Sequence, residues 1–500
     1  MQNCPSISAA DEKGYGPPVA LRGGTHLPPL CVDLDGTLLR TDTLWETTIA
    51  HLKAHPWKGP LLPFWLARGK ANLKRRLAEG VALDCATLPY TPELLEYLRK
   101  AHSEGREIVL VSGCDQAVGE QIAQHLGLFS DVITSNGKTN LTGHNKAQLL
   151  SERYGSGGFD YAGNESADFP VWETARTRLV ANATPQVTRR LAEDTSDLVE
   201  FAPRTSRFPA LIRALRCHQW SKNVLVFLPL IAGHAYLNAK AVTGAVAMFV
   251  AWCLVASGIY ISNDLLDLEA DRRHPTKRLR PFASGDLPLW LGVILAPVLL
   301  TLGLVLAAVL SPMAAAALTF YAGFAFAYSF HLKKKPLVDV FILAFLFTIR
   351  VVGGGIASGN PVTMWLLAFT SFLFLGLAFL KRCSELVRIQ ALGRRHLGSR
   401  GYGVVDLLVL QMFGVASAFI AIMILGLYLN STVATTHYRS PAVLWAVGPA
   451  LLLWLCRLWL ATARGEMDDD PIVYSIRDWV SWLIGACVVA TFIVATAIKI

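Results

Sequence analysis

Carboxylates crowd one short stretch of this 500-residue chain. Between two apolar runs lies Asn263 to Pro281, NDLLDLEADRRHPTKRLRP, in which Asp264, Asp267 and Asp271 recur three and four residues apart. On a helix that spacing puts all three on one face. At about 4 Å and an effective dielectric of about 20, each like-charge pair costs about 4 kcal/mol. A divalent cation relieves that cost, and magnesium favours hard oxygen ligands shared with substrate phosphates. Arg272, Arg273, Lys277, Arg278 and Arg280 follow directly and suit anionic oxygens. A solvated loop with juxtamembrane cations accounts for the basic residues but not for one-faced acids beside an apolar run. The stretch therefore predicts a magnesium–diphosphate site.

A second set of reactive residues lies near the start. Leu30 to Asp35, LCVDLD, is a short apolar run ending in acids and followed by Gly36-Thr37. In DxDGT after a strand, Asp33 can act as a carboxylate nucleophile toward phosphorus. Asp35 can protonate the leaving group and later activate water. Gly36 lets the chain turn sharply at the strand end. Residues 106–113, REIVLVSG, repeat the pattern and bring Ser112, a hydroxyl for a phosphate oxygen. Residues 131–146 hold a further strand and then GHNK, with Lys146 as a clamp on phosphate and nucleophile. Residues 159–168, FDYAGNESAD, run from a strand into Asn164, Glu165 and Asp168, each able to offer oxygen to magnesium. Arg178 to Asn182, RLVAN, reads as the last strand.

The elements that must position these groups follow. Strands alternating with helical segments imply a doubly wound α/β domain with a parallel sheet, and ligands then sit at the carboxyl ends of the strands. The chain is long enough for two or three domains. It is 53% hydrophobic, with the apolar residues concentrated after about residue 223 in runs approaching the roughly 20 residues that cross a bilayer. A multidomain protein is expected: a soluble α/β part, then an all-α polytopic membrane domain. The formal charge of +9 suits phosphates or an anionic leaflet, and nothing demands nucleic acid. Nine cysteines without a CxxC pair argue for a reduced compartment and against a zinc site. Residues 1–28 read as a disordered tail and 29–200 as the soluble domain. A helical insert over about 43–89 caps its site. The insert contains PWKGPLLPFWLARGKANLKRR, which suits either contact with a membrane surface or a cap with its own small core and a solvated basic face.

Residues 201–223 link the halves, with Arg213, Arg216, Lys222 and Asn223 ahead of the first apolar run and Trp220 as an interfacial anchor. Nine spans are expected within 224–500, at about 224–238, 241–262, 288–309, 312–330, 338–357, 362–380, 404–429, 441–461 and 479–498. Basic residues gather after the even spans, so those loops and the soluble domain are expected in the cytoplasm. On that side fall Tyr328, Lys333 and Asp339 in YSFHLKKKPLVDV, Glu385 in a basic segment, and Asp468, Asp469, Asp470, Arg477 and Asp478 before the last span. A charge at the bilayer centre costs about 2.5–3.5 kcal/mol on insertion scales, so these groups should line a wet cavity. Arg350, inside the fifth expected span, should face that cavity or snorkel.

The order DxDGT, Ser, Lys, GNxxxD over about residues 28–200 resembles the haloacid dehalogenase-like phosphatases. The resemblance implies an aspartyl-phosphate on Asp33, Asp35 as acid/base, Ser112 and Lys146 on the phosphoryl group, and magnesium near Asp33, Asp35, Asn164 and Asp168. The family usually has GDxxxD; here Asn164 replaces the first acid.

Nine spans with NDxxDxxxD after the second resemble the UbiA-type intramembrane prenyltransferases. Within them, NDLLDLEADRRHPTKRLRPFASG, QWSKN and YSFHLKKK look like the decaprenyl-phosphate phosphoribosyltransferases. Aromatic-prenylating members usually carry Arg after the second acid and a later RTxxRP; here stand Leu268 and HPTKRLRP. The second acidic motif is reduced to Asp339. The resemblance implies transfer of 5-phosphoribose from phosphoribosyl pyrophosphate to a polyprenyl phosphate. Asp264, Asp267 and Asp271 would hold magnesium on the pyrophosphate, Lys277, Arg278 and Arg280 the donor phosphates, and Lys222 the lipid phosphate. Asn263, Tyr328, Lys333 and Asp339 complete the expected substrate site. The phosphatase would then remove the 5-phosphate, yielding a pentose donor for cell-envelope polysaccharide at the inner membrane. The alternatives are prenyl transfer to an aromatic acceptor beside a degenerate, regulatory soluble domain, and a non-catalytic membrane scaffold or transporter.

Overall fold

Leu30, Val32, Ile108 and Leu110 pack into one apolar core, and Cys31, Val109 and Val111 into another. This is the period-two alternation of strands buried on both faces. In the computed structural model, the described residues are 27–135, 141–194, 198–202, 206–398, 400–431, 438–467 and 470–497. The expected tail, up to residue 26, and Asp468 and Asp469 lie outside them. The chain forms two compact units, residues 1–211 with 264–292, and residues 212–263 with 293–500.

In the first unit, β1 (Leu30–Val32), β2 (Ile108–Asp115), β3 (Asp131–Ser135), β4 (Asp160–Gly163), β5 (Arg178–Ala181) and β6 (Leu198–Phe201) form a six-stranded sheet in the order β3-β2-β1-β4-β5-β6. Every neighbouring pair is parallel. The order turns back at β1, so the carboxyl ends of β1, β2 and β4 open a crevice at the switch point. β6 extends the sheet beyond the strand expected to be last. Its LVEF has only partly buried ends and an exposed middle, so no apolar run marks it.

The cap comprises α1 (Thr43–Ala54), a 3₁₀ turn (Pro56–Leu61), α2 (Leu62–Ala67), α3 (Lys70–Ala78) and a second 3₁₀ turn (Cys85–Thr87). Asp42 caps α1 by accepting from the Leu44 N–H. Pro56, Pro60 and Pro63 keep the middle of the cap in short turns. α4 (Pro92–Ser103) and α5 (Gln116–Leu126) contribute to the first core, and α6 (His144–Tyr154), α7 (Phe169–Thr174) and α8 (Pro185–Asp194) to the second. The sheet is thus covered on both sides.

After α9 (Arg207–Leu215), the second unit runs through a 3₁₀ stretch (Cys217–Phe227) and α10 (Leu228–Ala232). The long helices are α11 (Ala239–Leu266), α13 (Leu289–Leu310), α14 (Pro312–Phe330), α15 (Val338–Ser358), α16 (Met364–Ala391), α17 (Leu407–Leu429), α18 (Val447–Ala463) and α20 (Trp479–Ala497). Between them lie α12 (Leu268–Arg273), which belongs to the first unit, and α19 (Pro471–Arg477). Among the described residues eight helices are long and apolar enough to cross a membrane. The first of the nine expected spans is not one continuous helix but the end of a 3₁₀ stretch, α10 and a 3₁₀ turn (Ala235–Leu237), with Pro229 and Gly233 among them. It packs closely on α15, where a Cβ at Gly354 would lie 1.9 Å from the Val226 carbonyl oxygen.

Candidate active sites

Asp33 leaves β1 buried, with its Oδ1 accepting from Lys146 Nζ at 2.8 Å and its Oδ2 from Thr37 Oγ1 at 3.3 Å. Lys146 enters from the first turn of α6 and also donates to the Tyr161 hydroxyl at 2.9 Å. Tyr161 in turn donates to Asp168 Oδ1 at 2.7 Å. Asp168 Oδ2 accepts the main-chain N–H groups of Asn164 at 3.0 Å and Glu165 at 3.2 Å. Asp33, Lys146, Tyr161 and the Asn164 turn are therefore one buried network, in which Asp168 bonds both Tyr161 and the turn. Ser112 is fully buried within β2, where the register against β3 shifts, its Oγ accepting from the Cys114 N–H at 3.2 Å.

Asp35 accepts from the N–H of Thr43 at 2.7 Å and from its Oγ1 at 3.1 Å. Burial pushes the Asp33 carboxyl up, Lys146 pulls it back, and it comes to about 6. Burial pushes Asp35 further, with Asp42 adding to it, to about 8. Burial alone would lower the Lys146 ammonium; Asp33 and Asp168 outweigh it and hold it above the usual lysine range.

Residues the motif reading missed hold this loop in place. The Asn182 amide donates to the carbonyls of Gly36 and Thr37, each at 3.1 Å, and to Thr91 Oγ1 at 2.7 Å. Gly36, at φ +76°, leaves room for Asn164: a Cβ there would lie 2.1 Å from Asn164 Nδ2. From the cap, Lys74 Nζ reaches the Gly113 carbonyl at the end of β2.

A magnesium ion fits these donors. Asn164 Oδ1 is buried without a hydrogen-bond partner, and the Asp33 carboxylate supplies the charged oxygens.

The NDLLDLEAD stretch is not one continuous helix. α11 ends at Leu266, Asp267 stands at φ −99° and ψ 12°, and α12 restarts at Leu268. This corrects the single-face expectation, yet Asp264 and Asp271 still converge. Both are buried, and Arg280 Nη1 spans them at 3.1 Å and 2.5 Å. Arg280, expected on donor phosphate, therefore sits as a cation between two acids. A divalent ion answers the same pair of carboxylates, so these residues too fit magnesium. Lys277 and Arg278 are exposed on a 3₁₀ turn, and Asn263 Nδ2 donates to Ser329 Oγ at 3.0 Å.

The residue beside Asp271 has a partner that spacing does not foretell. Arg272 pairs with Glu46 of α1 through two contacts, Nη2–Oε1 at 2.6 Å and Nη1–Oε2 at 3.1 Å. Glu46 Oε1 also accepts from Thr41 Oγ1 at 2.7 Å. Arg273 reaches Asp84 at 2.8 Å, and Arg40 reaches Asp286 at 3.2 Å.

In the second unit, Lys222 Nζ lies 2.6 Å from Asp470 Oδ2. Burial pushes the Asp470 carboxyl up, but Lys222 and Lys381 outweigh that and hold it below the usual range. These three residues share a cavity with Leu343, Phe347, Phe374 and Leu377. Asp339 is fully buried, 2.6 Å from Arg382 Nη2, and accepts from the Tyr402 hydroxyl. Arg382 also pairs with Glu385, and Arg400 reaches Glu385 at 3.9 Å and the Tyr328 hydroxyl at 3.2 Å. Lys333 lies on the 3₁₀ turn Leu332–Lys334. Arg350 lies within α15. It is buried, donating to Asn223 Oδ1 and the Tyr321 hydroxyl, both at 2.9 Å.

Comparison with known proteins finds two families in succession along the chain. Residues 226–482 match the UbiA prenyltransferase family, and residues 30–173 match the haloacid dehalogenase-like hydrolases. A Sinorhizobium fredii protein named Uncharacterized protein y4nM is 36% identical over 470 residues, 93% of this chain and 91% of that protein. Nodulation protein NoeC of Azorhizobium caulinodans is 34% identical over 276 residues, 54% of this chain and 88% of its own length. The Decaprenyl-phosphate phosphoribosyltransferase of Mycolicibacterium smegmatis is 38% identical over 197 residues, 39% of this chain and 62% of its own length.

Proposed function

From a chain that belongs to the UbiA prenyltransferase family and carries a haloacid dehalogenase-like domain, we propose a bifunctional membrane enzyme that makes polyprenyl-phosphoryl-ribose. The first reaction moves 5-phosphoribose from phosphoribosyl pyrophosphate to polyprenyl phosphate. The bond between ribose C1 and the pyrophosphate oxygen breaks, a bond from C1 to the lipid phosphate oxygen forms, and pyrophosphate leaves. The second removes the 5-phosphate, and the lipid product serves cell-envelope polysaccharide synthesis. One observation supports the reading: a buried Asp33–Lys146 pair lies on the same chain as a UbiA domain, some of whose relatives are named for phosphoribosyl transfer.

Asp264, Asp267 and Asp271 are assigned to magnesium in the transferase, and Asp33 and Asn164 in the phosphatase. When bound, the metal supplies positive charge for the leaving pyrophosphate and for the phosphoryl oxygens. Lys277 and Arg278 are assigned to the donor's phosphates, and Lys222 to the lipid phosphate. In the second reaction Asp33 attacks phosphorus while Asp35 gives its proton to the departing ribose oxygen. Asp35 then takes a proton from the water that releases inorganic phosphate from Asp33. Lys146 holds the Asp33 carboxylate in line and offsets its charge. Both sites are placed on the cytoplasmic side of the inner membrane, following the basic loops.

The test is a transfer assay in detergent with labelled phosphoribosyl pyrophosphate, polyprenyl phosphate and magnesium. Wild type should yield dephosphorylated ribosyl lipid, and Asp33→Asn should stop at the phosphorylated lipid. A donor left untouched, with prenyl diphosphate and an aromatic acceptor consumed instead, would overturn the reading in favour of aromatic prenylation.

A further inference from the structure

The phosphatase cap carries an apolar surface that hydrolysis of a soluble ester does not need. Trp57 is 71% exposed, Phe64 56%, Leu66 49% and Leu61 44%. Among the described residues from 27 to 206, the only other exposed large apolar side chains are Leu27 and Val199. No residue of the 3₁₀ turn Pro56–Leu61 or of α2 is buried. A patch of that kind in a folded domain marks an interaction site.

Charge identifies the partner. From residue 47 to residue 78 there is no Asp or Glu, while Lys53, Lys58, Arg68, Lys70, Lys74, Arg75 and Arg76 all fall in that window. Arg68 stacks on Phe64, its guanidinium carbon 4.5 Å from the ring centroid. Aromatic and aliphatic side chains set among cations match the boundary between anionic headgroups and acyl chains. The eight span-capable helices among the described residues keep a bilayer within reach. Three prolines and edge contacts of Trp57 with His55 and Trp65 with His51, at 5.6 and 5.7 Å, stiffen the segment, so little order has to be gained on docking.

We propose that Pro56–Ala67 is an interfacial anchor, seating Trp57, Leu61, Phe64 and Leu66 in the headgroup region of an anionic bilayer. α3, which follows this anchor two residues on, reaches the Gly113 carbonyl beside Ser112 through Lys74, so one helix joins the anchor to the phosphatase site. On the reading of that site as a phosphatase, its substrate class is a phosphate monoester carried on a membrane lipid.

The experiment uses the full chain in nanodiscs of phosphatidylcholine with and without phosphatidylglycerol, in a background cleared of accessible cysteines. An environment-sensitive dye is placed by Trp57→Cys, by Phe64→Cys and, as a control on α4, by Ser103→Cys. The expected result is blue-shifted emission at 57 and 64, quenched by spin-labelled lipid and strengthened by phosphatidylglycerol, with the dye at 103 in water. Dye at 57 and 64 as aqueous as at 103 overturns the anchor. So does a blue shift that spin-labelled lipid leaves unquenched, which means that protein covers the patch. A Trp57→Ser/Phe64→Ser variant should hydrolyse a soluble phosphate ester like wild type and lose rate only on a lipid-borne one. Equal rates on both overturn the link to substrate. A chain that anchors but hydrolyses neither ester defeats the phosphatase reading alone.

Discussion

Asp33 and Asp35 stand two residues apart in one motif, yet their surroundings make them chemically unlike. Both carboxyls are raised by burial, but Asp33 has the Lys146 ammonium beside it and Asp35 has Asp42. At pH 7 the first, at about 6, is ionised as a nucleophile must be, and the second, at about 8, keeps the proton an acid must give. Hydrolysis of a soluble phosphate ester should therefore fall as pH climbs through about 8, read as kcat/KM against pH, while magnesium held at Asp33 should draw the rising limb below about 6. Asp35→Asn should cost about 10²–10⁴-fold and abolish the upper limb. A second prediction concerns Asn164, whose Oδ1 is an unpartnered oxygen beside the nucleophile loop. Asn164→Asp adds a charge where the metal is assigned, so half-maximal phosphatase activity should come at lower magnesium; an unmoved magnesium curve would remove Asn164 from the metal site. The motif residues were legible because their chemistry follows from spacing along the chain. Tyr161 and Asn182 were not, because a buried tyrosine in a strand and an asparagine ending one read as ordinary core and turn until their partners on other segments are seen.

At the scale of elements, the sequence reveals periodic segments well and junctions poorly. The buried strands show in their apolar runs, and most of the membrane helices in their hydropathy. β6 and the broken first span lack that signal, the one too short and polar, the other interrupted by Pro229 and Gly233. Nor does local sequence tell that α12 pairs with α1. The Glu46–Arg272 pair is the tightest link between the acidic-motif segment and the cap, and both side chains are almost fully buried. Removing one partner of such a pair strands the other charge away from water. Glu46→Gln should destabilise the first unit by about 3–5 kcal/mol, whereas Glu46→Leu with Arg272→Leu should recover most of the loss. Thermal unfolding of the purified protein, followed with the phosphatase rate, measures this. A Glu46→Gln melt that matches wild type would mean that water reaches the pair.

For the whole molecule, chain order and compactness disagree. Residues 264–292, which separate two long apolar helices in sequence, fold with the α/β unit rather than with the helices on either side. The proposed reactions are nevertheless separable by residue. Asp271→Asn should abolish phosphoribosyl transfer and spare hydrolysis of a soluble phosphate ester, and Asp33→Asn should do the reverse. Mixing the two variants restores both activities on different molecules. The lipid 5-phosphate made by one must then diffuse to the other, whereas in wild type a tethered second site faces it at an effective concentration of about millimolar. At dilute enzyme, wild type should therefore accumulate much less phosphorylated intermediate than the mixture at equal total sites. The gap should close as protein per unit of lipid or detergent rises. Equal accumulation at every dilution would mean that the fusion brings no kinetic advantage, and the two domains would share a chain for expression or stability alone.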